Sequence, residues 1–346
     1  MSLDLTHHKS FTNDVIFVDG FWGGGKSVIT SIVGSLTGVE KKKVDGIFEY
    51  VCITHAAGKI SQDAAMTLLK IYADHLQYNS LIGREVNLRW SDDTGFRNNP
   101  GSLAYLGRLF RKGGDSITEK INSQNLALLV ASHGLLSVSN VLFEAYESRI
   151  KLIEVVRHPV HLFYNVCSYF ENFERSREFT LSYEHDGVKI PWFAAQWASE
   201  FAESSITDRA LLSIARVQKS VIEMIDTQKN SQKPTLVVSF EQTVTNPTGV
   251  TKELEAFLNR ATTKHTSRVL KQQSLPREQI SAGRSTSTFS FVTNSSSSEA
   301  EIYTQIVTSI HKIASKSAVT EFHEAIRNYN SRWPSSLVDL ESIWTR

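Results

Sequence analysis

Eight residues carry the strongest chemical signal in this 346-residue chain: Gly20-Phe21-Trp22-Gly23-Gly24-Gly25-Lys26-Ser27, a Gly-x4-Gly-Lys-Ser pattern. Glycine lets the backbone take positive φ and come close to an anion, so the N–H groups of Gly23, Gly24 and Gly25 can point into one concavity. Lys26 adds a positive point charge and Ser27 a hydroxyl donor. The pattern follows a continuous apolar run, Val15-Ile16-Phe17-Val18, and precedes a stretch in which Val28, Ile29, Ile32 and Val33 are apolar. That reads as a buried strand passing through a glycine loop into a helix, whose free N-terminal donors and positive dipole end face the same spot. The chemistry implied is binding of a phosphorylated ligand. The alternative, a glycine-rich turn that binds nothing, is opposed by the agreement of strand, loop and helix.

Three more apolar runs end in groups that hold anions or move protons. Leu126–Val130 leads to Ser132-His133, Lys151–Val156 to Arg157-His158-Pro159, and Thr235–Phe240 to Glu241. Helices are expected between them, over 60–78, 138–148, 160–173 and 208–227, from Asn246-Pro247 onward, and over 299–315 and 316–331. Apolar strands alternating with helices predict a parallel sheet covered on both faces, with functional residues at the carboxyl ends of the strands. The fold class is therefore α/β: a three-layer α/β/α P-loop fold in one domain spanning 1–346. Residues 40–120 read as a mostly helical or loop insertion or lid on the acceptor side. Within it, 79–115 is rich in Gly, Asn and Arg, with Trp90, Arg97, Arg108, Arg111 and Lys112.

Composition narrows the classes. Apolar residues make up 41% and charged residues 21%, as in an ordinary soluble globular protein. A formal net charge of +1 argues against a nucleic-acid-binding chain, so any basic site is local. Two cysteines, Cys52 and Cys167, exclude a disulfide framework and a cysteine-only zinc site within the chain, and they suggest a reducing compartment. No apolar run approaches a membrane span, and the N-terminal residues have no signal-peptide core. A cytoplasmic location is the expectation. The one low-complexity patch, Ser295–Ser298, reads as a flexible loop. Nothing in the sequence sets an oligomeric state.

A nucleoside triphosphatase needs a second acid at a strand end to hold magnesium. Here the two central strands end in Ser-His and Arg-His. Glu154 lies inside its strand, Asp19 comes one residue too early, and Glu241 is the remaining candidate. The magnesium half of the signature is missing or displaced.

Taken in order, three segments resemble the sulfotransferase family, which binds 3′-phosphoadenosine 5′-phosphosulfate on a P-loop-like fold. Gly20–Ser27 is similar to the family's 5′-phosphosulfate loop. Ser132-His133-Gly134-Leu135-Leu136, a helix, and Lys151–Val156 with Arg157-His158-Pro159 resemble its 3′-phosphate segment. Val237–Glu241, Asn246-Pro247 and Phe257-Leu258 resemble its Tyr-Glu-Asp strand end and the following helix. Trp192 and Trp197 are similar to a Trp-containing helix of cytosolic members. The likeness covers about 15–33 and 126–290.

The resemblance implies sulfuryl transfer from 3′-phosphoadenosine 5′-phosphosulfate to a hydroxyl or amine of a small-molecule or glycan acceptor, with no metal required. It implies His133 as the base, and Lys26 with Gly23, Gly24, Gly25 and Ser27 on the phosphosulfate. Arg157 grips the 3′-phosphate, for which a bidentate guanidinium suits. Asn165 stands where the family has a serine, with Ser168 one turn later. Arg277 and Arg284 stand where a basic loop closes over the nucleotide. Two departures are specific: Lys26 follows Gly25, as in nucleoside triphosphatases, and Val28 replaces an aromatic residue that stacks on adenine in some members. Phe21 or Trp22 either supplies that stacking or packs in the core. Two other classes stay open: a kinase or hydrolase using magnesium-ATP or -GTP, and a non-catalytic nucleotide-binding protein. The Arg-rich stretch 84–112 suits either an anionic glycan or a solvated basic face.

Overall fold

The computed structural model describes residues 3–8, 11–90, 95–96, 102–173, 175, 179–281 and 297–345. Seven strands are present among them: β1 (Val15–Asp19), β2 (Lys43–Val44), β3 (Leu128–Ala131), β4 (Ile150–Val156), β5 (Ser182–His185), β6 (Val188–Pro191) and β7 (Thr235–Ser239). Five form one parallel sheet in the order β2-β3-β1-β4-β7. β1 lies at its centre, and the chain crosses from one side of β1 to the other between β3 and β4. Ligands of open α/β sheets bind beyond the strand ends at such a reversal. The segments that follow β1, β3 and β4 are the glycine loop, Ser132-His133 and Arg157-His158.

The central strand shows why the sheet is covered twice. Successive side chains of a strand point to opposite faces. Ile16 and Val18 join one core with the helix Lys26–Val33 (α1), the helix Phe163–Asn172 and the C-terminal helices Glu299–Ile313 and Lys316–Arg332. Val15 and Phe17 join the other, with the helices Ile47–Ala56 (α2), Gln62–Leu81 (α3) and Asn140–Tyr146. All four side chains are fully buried. The three-layer α/β/α arrangement expected from the apolar runs is present. The long helix Ile206–Asn230 lies beside the helix Lys316–Arg332.

Several elements differ in detail from expectation. The third sheet strand runs 128–131 rather than 126–130. Leu126 leaves the ladder because its carbonyl accepts side-chain donors from Asn13 and Gln77, and Ala127 forms an isolated bridge with Val39. Residues 40–120 contain the edge strand β2 and the helices α2 and α3, whose Phe48, Val51, Leu69 and Leu76 pack directly against the sheet. The antiparallel β5–β6 hairpin was not expected, although its turn residues Asp186 and Gly187 both have positive φ, as a two-residue hairpin turn requires. No helix among the described residues is long and apolar enough to cross a membrane.

One buried acid has a thermodynamic consequence. Asp19 and Glu154 are opposite each other across the β1–β4 pair, and both are buried. Asp19 is satisfied as an anion, accepting from Ser132 Oγ at 2.8 Å and from the Leu136 N–H at 2.7 Å. Burial, and then the Asp19 charge, push the Glu154 carboxyl well above its usual range. It therefore keeps its proton in the fold and loses it on unfolding. Its contribution to stability is full below the unfolded value of about 4.3 and declines as pH rises toward the folded value, by roughly 1.4 kcal/mol per unit at most. Glu154→Gln removes this loss. The variant's unfolding free energy, measured by urea titration at pH 5, 6 and 7, is expected to gain on the parent's as pH rises; parallel curves would contradict the assignment.

Candidate functional site

The glycine loop is shaped by what stands against it. Gly25 has φ +87°, and a Cβ there would lie 2.1 Å from the Phe240 ring. Gly23 has φ +78°, and a Cβ there would lie 2.7 Å from Asn165 Nδ2. Side chains are excluded at both positions by backbone conformation and by space. Gly24, expected to share that conformation, does not; its N–H donates to the Phe21 carbonyl at 3.0 Å and closes the turn. No side chain among the described residues caps α1, and no acidic residue lies in its first turn. Its leading donors and positive end are left for an anion. Ser27 is exposed in that first turn.

Lys26 is turned inward. Its ammonium donates to the carbonyls of Gly20 at 2.6 Å and Phe21 at 3.1 Å. Burial lowers its pKa, against the opposing charges of Asp19, Glu49 and Glu154. The lysine thus braces the loop with two of its three donors.

Two guanidinium groups gather round Phe240, the first residue after β7. Arg157, just beyond β4, donates from Nη1 to the Gly23 carbonyl at 2.7 Å, and its Cζ lies 4.3 Å from the Phe240 ring centre. Its Nε is buried with no partner among the described residues. Burial lowers its pKa, and Glu241 opposes that shift. Arg277 Cζ lies 6.0 Å from the same ring; its backbone N–H donates to Val244 at 2.7 Å and its Nη2 to the Gln273 carbonyl at 2.9 Å. Asn165 stands against Gly23, and Ser168, partly buried, follows one turn later. The structure therefore brings together the loop, Arg157, Asn165 and Arg277. Arg284 lies outside the described residues, as does part of the Ser295–Ser298 patch. Sequence reading did not single out Phe240; its signal was an aromatic residue placed directly after an apolar strand.

His133 lies on the other side of the loop, beyond β3. The Gly134 N–H donates to the Gly20 carbonyl at 3.2 Å, fixing this turn to the loop. The imidazole stacks on Trp22 with ring centres 5.7 Å apart and planes 25° apart. Glu49, in the first turn of α2, takes two contacts on Oε1: the His133 backbone N–H at 2.8 Å and Nδ1 at 3.3 Å. Glu49 was missed because nothing in the spacing of α2 relates it to a histidine 84 residues away. Beside His133 is a cavity of about 340 Å³, lined among others by Trp22, Asp45, Glu49, Tyr50, His133 and Trp192.

The acids near the strand ends are committed to the protein. Glu241 accepts from the His158 N–H at 2.9 Å, from Tyr329 Oη at 2.5 Å and from Ser239 Oγ at 3.1 Å. Asp19 is engaged as described above. Among the described residues no group of three His, Cys, Asp or Glu side chains is placed to hold a metal ion.

No protein-family model and no curated protein matches this chain. Solved structures to which it is similar include the sulfotransferase domain from the Synechococcus PCC 7002 olefin synthase, at 13% identity over 95% of this chain and 98% of that one, with a TM-score of 0.42. Mouse sulfotransferase SULT7A1 complexed with PAP matches at 10% identity over 96% and 88%, with a TM-score of 0.36. A sulfotransferase from Alicyclobacillus acidocaldarius matches at 13% over 93% and 99%, with a TM-score of 0.35. These neighbours are sulfotransferases, the family that the sequence resembles.

Gly25→Ala would force both an unfavourable φ and a displaced Phe240 ring. It is expected to cost about 1–3 kcal/mol in a denaturant titration. Gly107→Ala, at a glycine with nothing within 4 Å of the added carbon, is expected to stay within about 0.5 kcal/mol of the parent.

Proposed function

We propose that this chain is a sulfotransferase that moves the sulfuryl group of 3′-phosphoadenosine 5′-phosphosulfate to a hydroxyl or amine. The observation that carries the reading is the double anion site around Phe240. One edge of that ring abuts the uncapped start of α1, and two guanidinium groups stand against it. A mononucleotide with phosphate at both ends of its ribose needs two such sites a short distance apart. The residues fit such a ligand on two counts: the uncapped start of α1, and the buried Arg157 Nε without a partner among the described residues.

In this reading Gly23, Gly24, Gly25, Lys26 and Ser27 hold the 5′-phosphosulfate, Arg157, Asn165 and Ser168 hold the 3′-phosphate, and Arg277 and Arg284 belong to a basic loop that closes over the nucleotide. The bound donor supplies an activated sulfuryl group. His133 is the base. Its Nδ1 is taken by Glu49, which leaves Nε2 to accept the acceptor's proton as the new O–S or N–S bond forms. The helix dipole stabilises the electron pair that remains on the leaving phosphate, joined by Lys26 once its ammonium turns from the Gly20 and Phe21 carbonyls toward the ligand. Glu49 acts through His133 as a positioning residue. The engagement of Asp19 and Glu241 within the protein weighs against a magnesium-ATP enzyme, while Lys26 in the triphosphatase position is what favours one. Both cysteines are free, which suits a cytoplasmic setting.

Calorimetry with 3′-phosphoadenosine 5′-phosphate in the absence of magnesium is expected to give submicromolar binding, roughly −8 kcal/mol or better. Tight binding of magnesium-ATP alone would overturn the reading. Arg157→Ala is expected to weaken that binding roughly 10–150-fold, as loss of a charge-assisted contact should. His133→Ala is expected to lower kcat by about 10²–10⁴ with donor affinity unchanged. Glu49→Gln should lower kcat while leaving KM for the donor near the parent value; a rise in KM alone would assign Glu49 to binding instead.

A further inference from the structure

The cavity beside His133 points to the class of acceptor, an inference that rests on the sulfotransferase reading. Four aromatic side chains wall it, Trp22, Tyr50, Phe179 and Trp192, and its carboxylates are Asp45 and Glu49. Among the described residues no lysine or arginine lines it. Asp45 accepts from the Ile47 N–H at 3.0 Å and from Tyr72 Oη, and Glu49 from His133. These bonds fix the carboxylates without cancelling their charge. Lys26, on which the Glu49 charge acts, is turned under the loop onto Gly20 and Phe21. Tyr50 registers the resulting potential: its phenol is pushed up by burial, then by Glu49 and Asp45.

Size and charge select together. A volume of about 340 Å³ is near the lower end for small-molecule sites and suits a single ring with a short chain. Aromatic faces and carboxylates both attract a cation, and both disfavour an anion. An anionic glycan fits neither the size nor the sign. In the Arg-rich stretch, Arg108 is bound to Glu40 at 2.6 Å and does not line the cavity.

We propose that the acceptor is a small phenol or alcohol bearing an ammonium group. Asp45 and Glu49 hold its charge among the aromatic walls, and its hydroxyl is presented to His133. The acceptor oxygen bonds to sulfur, its proton passes to His133, and the sulfur–oxygen bond to the 5′-phosphate breaks with its electron pair left on the phosphate. The ammonium group is unchanged.

Calorimetry on the full chain with tyramine, 4-ethylphenol and 4-hydroxyphenylacetate, each with and without 3′-phosphoadenosine 5′-phosphate, tests this. Tyramine is expected to bind about tenfold more tightly than 4-ethylphenol, with the anion weakest. The advantage should shrink as salt is raised. Asp45→Asn is expected to reduce the tyramine advantage several-fold and to leave 4-ethylphenol unchanged. Equal affinities, a preference for the anion, an advantage untouched by both salt and the variant, or no binding of any probe would overturn the proposal. A tyramine preference without binding of the nucleotide would sink the donor reading alone; nucleotide binding without the preference would sink the acceptor proposal alone.

Discussion

The Phe240 ring occupies the space that a side chain at Gly25 would need, and that single close approach organises the glycine loop and the groups around it. On one side it supports the left-handed backbone that turns the loop into α1. On the other it presents a face to Arg157 and a more distant one to Arg277. Arg157 returns to the loop through the Gly23 carbonyl, so ring, guanidinium and glycine backbone form a closed set of contacts. An aromatic face is a suitable support for a cation awaiting an anion: it attracts the guanidinium without consuming its donors. A carboxylate in the same place would neutralise the charge. Glu241, which lies nearby, is spent instead on His158, Tyr329 and Ser239.

Beneath the loop the sheet carries a second set of charges with a different purpose. Asp19 ties β1 to the turn after β3 through Ser132 and Leu136. Burial and the Asp19 charge opposite it favour the protonated form of Glu154. Lys26 closes the arrangement from above by holding the carbonyls of Gly20 and Phe21. Burying an unpaired charge is costly, and here one carboxylate is satisfied by two donors and one ammonium by two acceptors. The loop is thereby braced from below, and its upper face is left to the ligand.

The parts legible in the sequence were those that rest on local pattern. Four apolar strands and the Gly-x4-Gly-Lys-Ser loop could be read because burial on both faces and backbone conformation leave direct marks on residue type. His133 and Arg157 could be placed because strand ends are fixed points of the fold. Phe240, Glu49 and the aromatic wall at Trp192 were less accessible: their roles come from contacts between elements distant in the chain. The Asp186-Gly187 turn was a readable signal for the β5–β6 hairpin, passed over because the flanking strands are short and half-exposed. Residues 40–120 lack alternating apolar runs, so the two-residue strand β2 left no pattern, and nothing in the sequence marked which helical faces pack on the sheet.

The two walls of the site are written in separate stretches of chain. The anion side draws on the loop, the ends of β4 and β7, and the segment reaching Arg277. The cavity side draws on α2 with its approach and on the two flanks of the hairpin. They meet at Trp22, which stacks on His133 at 5.7 Å and on Tyr169 at 4.9 Å. Substitutions in 44–53 and 179–192 can therefore reshape the cavity while leaving the contacts around Phe240 in place, and the indole at position 22 is the seam between the two walls.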